Sequence, residues 1–178
     1  MCVHTLTLVI EGTLSSLPFS INGELLTTVL YFFGKRGYFM IRHFKIGDQK
    51  TYERIITQDE VNQFAKLTGD FNLAHHDIDY CAKTIFKKPI VHGMFVGALF
   101  SKVFGLEFPG GGMIYCSQTL KFLKPIYPET TIHIVITVKE IILEKNRVVF
   151  TTEVFNEHDE LALTGEATLM PRKDDHHE

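Results

Sequence analysis

At 178 residues, with 45% hydrophobic and 22% charged residues, the chain has the size and composition of about one globular domain. A formal net charge of −3 and a pI near 6.3 leave no basic footprint for nucleic acid. Cys2, Cys81 and Cys116 are odd in number, widely spaced and lack a C-x-x-C pair, which excludes a disulfide framework and a zinc knuckle and fits a reducing compartment.

Residues 1–39 differ in composition from the rest of the chain: they are apolar and Ser/Thr-rich, with only Glu11, Glu24, Lys35 and Arg36 charged. Their uncharged runs are too short for a membrane span, which needs about 20 residues. No basic residue precedes the apolar stretches, against a secretory signal, and a single late Arg is poor material for a mitochondrial presequence. Gly12 and Asn22-Gly23 are turn signals that allow a short strand pair. The segment is left unassigned, either a presequence or residues upstream of a true start at Met40. The expected layout is then a domain over 40–170 and a polar tail over 171–178.

From Met40 the pattern is regular. Lys50 to Thr57 reads as a strand, and Thr57-Gln58-Asp59-Glu60 as a capping box opening a helix. Val61, Phe64, Ala65 and Thr68 recur at helical spacing until Gly69, a natural terminator. Asp70 therefore lies just past a helix end, on irregular backbone fixed by a rigid neighbour. Asp79 to Phe86 predicts a short helix stopped before Pro89. His92 to Phe104 predicts one that is apolar on nearly all faces and so buried, with Gly105 as its cap.

Strands come next, over Met113 to Phe122, Thr130 to Leu143, Arg147 to Asn156 and Leu161 to Met170, separated by turn-forming residues. The fold class is α+β. An antiparallel sheet wrapped around one buried central helix is the hot-dog architecture. Its open sheet edge invites pairing, so a homodimer is expected.

The run Thr68-Gly69-Asp70-Phe71-Asn72-Leu73-Ala74-His75-His76-Asp77, continued by Pro89-Ile90-Val91-His92-Gly93-Met94, resembles the signature of the MaoC-like, or R-specific enoyl-CoA hydratase, family. The resemblance extends from Met40 to about Met170. It implies reversible addition of water to trans-2-enoyl thioesters, giving (R)-3-hydroxyacyl products, with Asp70 and His75 as the catalytic pair. The family pattern has Pro where this chain has Leu73, which implies a less rigid loop and slower turnover.

The residue chemistry agrees. Water adds to C3 of an enoyl thioester if its proton is taken as it attacks, a proton reaches C2, and charge on the thioester oxygen is held. Asp70 and His75 can share one water, although the sequence does not say which is base and which acid. The N–H of Gly93, at the start of an apolar helix, is a candidate oxyanion donor, and a glycine there leaves room for the substrate. Asn72, His92 and Ser101 are supporting candidates. Phe100 and Phe104 are candidates for an acyl pocket, with core packing as the alternative. Ser101, if buried, could instead bond back to its own helix, and His76 is expected to face solvent.

Rival readings are a metal site among Asp70, His75, His76, Asp77 and His92, which lack zinc-type spacing, and a non-catalytic acyl-binding subunit. A dehydratase acting on acyl-carrier-protein (ACP) thioesters needs the same residues. Lys87, Lys88, Lys121 and Lys124 are candidates for meeting either carrier. The expected partners are thus an acyl-CoA or acyl-ACP thioester and a second copy of the chain. No cofactor, metal, nucleic acid or membrane span is expected. The cytoplasm is the expected compartment, with the mitochondrial matrix as the alternative.

Overall fold

The structure, a computed structural model, describes residues 5–10, 13–18, 41 and 43–171. The chain divides into two compact units, Met1–Arg36 and Gly37–Glu178. In the first, β1 (Thr5–Ile10) and β2 (Thr13–Pro18) pair antiparallel, with Ile10 opposite Thr13. This is the strand pair allowed around Gly12. The Asn22-Gly23 turn signal and residues 172–178 lie outside the described residues.

In the second unit, β3 (Gln49–Ile55) leads into α1 (Gln58–Thr68). The capping box is formed: the Thr57 side chain accepts from the Glu60 N–H, and Glu60 accepts from the Thr57 N–H at 2.9 Å. Gly69 closes α1 in the left-handed region at φ 80°, a conformation that favours glycine. The next helix, α2, is Ile78–Ala82, shorter than expected and one residue earlier. It starts where the Asp77 side chain accepts from the Tyr80 N–H. It stops where the Thr84 hydroxyl takes the Cys81 carbonyl and accepts from the Phe86 N–H.

The central helix α3 (Gly93–Lys102) runs on into a wider turn over Val103–Glu107, closed by the Phe108 N–H on the Val103 carbonyl at 2.8 Å. Gly105 sits inside that turn and is not the helix cap. Around α3 lie β4 (Met113–Gln118), β5 (Lys121–Phe122), β6 (Thr131–Ile142), β7 (Arg147–Phe155) and β8 (Leu161–Pro171). The six-stranded antiparallel sheet has the order β3-β6-β7-β8-β4, with β5 on β8, and the hot-dog fold is as expected.

Strict alternation on β6 and β7 sends Ile132, Ile134, Ile136, Val138, Val148, Phe150 and Val154 into the core against Val96, Leu99, Phe100, Val103 and Phe104. The sheet covers only one side of α3. Met94, Ala98 and Ser101, spaced one turn apart, remain exposed, so the helix is not buried all round as its composition predicts.

The expected strand Met113 to Phe122 is broken at Thr119 and Leu120. There the chain leaves the β8 register and closes down on three glycines. A Cβ on Gly165 would lie 1.8 Å from the Thr119 carbonyl oxygen, one on Gly97 2.7 Å from Leu120, and one on Gly93 2.8 Å from the Phe122 ring. Segment 119–122 can therefore lie between α3 and β8. Among the described residues, no helix is long and apolar enough to cross a membrane.

Candidate active site

One half of the site is the loop after α1. Asn72 folds it: its side-chain oxygen accepts from the Ala74 N–H at 3.0 Å, and its carbonyl from the His75 N–H at 3.0 Å. The Asp70 carboxylate accepts from the Asn72 N–H at 3.3 Å and keeps a half-exposed side chain. The carbonyl of Leu73 accepts from the N–H groups of His76 and Asp77, a role that proline would fill equally well. The bracing does not depend on the side chain at position 73.

His75 is buried, and its Nδ1 donates to the Ile90 carbonyl at 2.8 Å. That bond fixes the tautomer of the neutral ring, leaving the lone pair on Nε2. From α1, the Gln58 amide donates to the His75 carbonyl at 3.0 Å and to Asn62 Oδ1 at 3.2 Å. Asn62 Oδ1 also accepts from His76 Nδ1 at 3.0 Å. His76 thus does not face solvent: it is partly buried, and its Nε2 is buried without a partner among the described residues.

The other half comes from the segment entering α3. His92 is 2% exposed, donates from Nε2 to the Asp70 carbonyl oxygen at 3.1 Å, and lies 3.9 Å from Asp70 Oδ2. Its ring stacks on that of His75 at 3.6 Å between centroids and 23° between planes, with Phe64 packed alongside. Burial pushes the His92 pKa down, helped by the neighbouring His75 and opposed by the Asp70 carbonyl. One donor atom from each of Asp70, His75 and His92 lies within 4.8 Å of the others. That spacing suits one shared water, and the donor types could also hold a metal ion.

His92 occupies the N-cap position of α3 but makes no side-chain cap, and its carbonyl accepts from the Phe95 and Val96 N–H groups. The Gly93 N–H stands ahead of these, at the positive end of the helix. The nearest obstacle to a side chain at Gly93 is the Phe122 ring, a constraint inside the protein. A cavity of about 450 Å³ opens beside it, lined by Phe86, Ile90, Met94, Val96 and Phe122 among others. Phe100 and Phe104 do not line it. They are 0% and 2% exposed, and Phe104 packs on Phe150 in the core. Ser101 is exposed on the open stripe of α3, so it is not the buried, self-bonded serine of the alternative reading. Lys124 lines the cavity and pairs with Glu160, Lys88 lies over the Tyr127 ring at 4.4 Å, and Lys87 and Lys121 are exposed.

Comparison with known proteins places this arrangement. The family described as MaoC like domain matches residues 43–159. The chain belongs to that family. It is similar to an (R)-specific enoyl-CoA hydratase of Aeromonas caviae, 35% identical over 125 residues, 70% of this chain and 93% of that protein. It is also similar to a mitochondrial 3-hydroxyacyl-[acyl-carrier-protein] dehydratase of Arabidopsis thaliana, 31% identical over 134 residues, 73% of this chain and 80% of that protein. Among solved structures, the (R)-hydratase from A. caviae superposes with a TM-score of 0.71 at 34% identity, covering 73% of this chain and 98% of that one.

In this MaoC-like chain, three residues and one ring contact escaped the motif. Gln58 and Asn62 sit four residues apart on α1, which is the signal that they share a face, but nothing local says that the face meets the loop. Phe122 joins the site only through the strand break. The stack of His92 on His75 joins rings 17 positions apart, a closeness set by the Ile90 and Asp70 carbonyls.

Proposed function

We propose that the chain adds water reversibly to trans-2-enoyl thioesters of coenzyme A, giving (R)-3-hydroxyacyl-CoA. The observation that carries this reading is the Asp70 carboxylate and His75 ring held within 4.8 Å of each other, beside the uncapped start of α3. Water donates one O–H to each acceptor. As its oxygen bonds to C3, the pair takes one proton, and electron density moves through C2 onto the thioester oxygen, where the Gly93 N–H meets it. The proton then passes from the pair to C2. One water is added, nothing is oxidised, and the reaction calls on no metal or cofactor. The bond from His75 Nδ1 to Ile90 means that the neutral ring can only accept through Nε2. The cavity beside Gly93 gives the apolar part of the substrate its place.

The second reading is the same step run as dehydration on ACP thioesters, favoured by the likeness to the Arabidopsis thaliana protein. A non-catalytic acyl-binding role would not need both proton-transfer groups. Loss of conjugated-enoyl absorbance, followed with crotonyl-CoA and with the corresponding ACP thioester, tests both readings. Turnover of neither by folded protein overturns the proposal. The activity belongs to residues 40–170, in the cytoplasm, with the mitochondrial matrix as the alternative compartment.

The working form is a homodimer. β4 is an edge strand with Ile114 and Tyr115 exposed, and Met94 and Phe122 are open as well. Light scattering should give twice the chain mass at micromolar concentration, and a stable monomer would refute this.

A further inference from the structure

We propose that His92 is a positioning residue for the acid–base pair: an imidazole that ties the Asp70 backbone to the His75 ring. The proposal rests on the hydratase reading of the same site and adds a residue to it.

Among the described contacts, His92 reaches both members of the pair by different means. Its Nε2–H holds the Asp70 carbonyl at 3.1 Å, which fixes the backbone from which the carboxylate projects. Its face lies on the His75 ring at 3.6 Å, while the Ile90 carbonyl holds that ring by one nitrogen. The hydrogen bond sets one atom of His75 and the stack sets the plane, so Nε2 is aimed in a single direction. His92 cannot move away to release it: the ring is 2% exposed, and Phe64 packs against it with centroids 5.1 Å apart.

The position also gives up something. At the N-cap of α3 a Ser, Thr, Asp or Asn would bond to a free N–H of the first turn, and His92 makes no such bond. Its neutrality comes from the surroundings. A second ring proton would sit on Nδ1, which is buried with no hydrogen-bond partner among the described residues. The titratable groups facing His92 are Asp70, His75 and His76, the last with ring centroids 5.9 Å apart.

Two substitutions in the full chain separate the two contacts. His92→Gln keeps an N–H that can reach the Asp70 carbonyl but removes the ring, and His92→Phe keeps the ring but removes the donor. Each is expected to lower kcat on crotonyl-CoA on the order of 10- to 100-fold, with KM within about twofold, because reacting groups are misaimed while substrate contacts remain. In a His75→Gln background, His92→Gln should add little further loss, as expected of a residue that acts through His75. A second readout needs no activity: the Ile90 bond keeps the Nδ1–H tautomer of His75, but its imidazole ¹⁵N shifts should move and broaden in both variants as the ring loses its single orientation. Circular dichroism checks folding, and His92→Asn stands in if either variant unfolds. Wild-type kcat in folded variants, a raised KM at constant kcat, fully multiplicative loss in the double variant, or unchanged His75 shifts would each overturn the proposal. If the parent chain turns over no enoyl thioester, the hydratase reading fails, and the ¹⁵N shifts alone decide the role of His92.

Discussion

The two halves of the site are held together by different forces. The loop half, from Asp70 to Leu73, is exposed and kept in shape by hydrogen bonds from Asn72, Asp70 and the Leu73 carbonyl. The helix half, from Val91 to Val96, is buried at Val91, His92 and Val96 and kept in shape by packing of Phe64 on Phe95 and of Leu120 and Phe122 against the glycines of α3. Hydrogen bonds at an exposed loop add little net stability each but set direction, whereas packed contacts carry folding energy. Damage to the loop half should therefore be read in rate, and damage to the helix half in stability.

The largest effect expected is on the loop side. Asp70→Asn and His75→Gln keep shape and remove one proton acceptor each, so kcat on crotonyl-CoA should fall about 10²–10⁴-fold in either variant. On the proposed reading, in which the two groups share one water, the double variant should be little worse than the worse single. Urea midpoints should stay near the parent value for Asp70→Asn, whose side chain is half exposed. A folded single variant with parent kcat would remove that residue from the mechanism, and a fully multiplicative double would mean two separate roles.

Gly93→Ala breaks the helix side. The added methyl would lie 2.8 Å from the Phe122 ring, and overpacking of this kind typically costs about 1–3 kcal/mol. A thermal melt should show the loss, and adding Phe122→Ala should restore most of it by removing the obstructing ring. If Gly93→Ala melts like the parent while kcat collapses, the glycine is kept for substrate approach and not for Phe122.

A smaller effect sharpens the loop side. Gln58→Ala frees the His75 carbonyl and one bond to Asn62, contacts worth about 0.5–1.5 kcal/mol each. The expected result is a kcat loss of severalfold, read in the same enoyl assay, with a melting point lowered by about 2–12 °C. A loss as large as that of His75→Gln would place Gln58 in the chemistry itself.

The same division explains what the sequence discloses. The capping box, the Gly69 stop and the alternation on β6 and β7 depend on residues within a few positions of one another, so local spacing reveals them. Asp70, Asn72 and His75 form one short loop for the same reason. The break at Thr119 and Leu120 does not show, because its cause is Gly165, more than 40 positions away. The exposed stripe of α3 does not show either, since an apolar composition cannot say how many sides a single sheet will cover. His76 reads as a surface residue until Asn62 is seen beside it.

His92 crosses the division, being packed like the helix half and hydrogen-bonded to the loop half, and it makes the finest prediction. Burial, with His75 close by, lowers its pKa below the ordinary value of 6.5, against the pull of the Asp70 carbonyl. The folded protein therefore binds fewer protons at this site than the unfolded chain does once the pH falls toward 6.5. Stability from keeping His92 neutral is fully present above that value and is lost as the pH falls through it toward the lower folded-state value. Urea midpoints measured from pH 8 to pH 5 should fall more steeply for the parent chain than for His92→Gln, which has nothing to titrate at this position. The histidines remote from His92 are common to both proteins and cancel in the difference. Parallel curves would mean that His92 takes up its proton inside the fold as readily as outside it, and packing would then have no hold on the charge of the residue that joins the two halves.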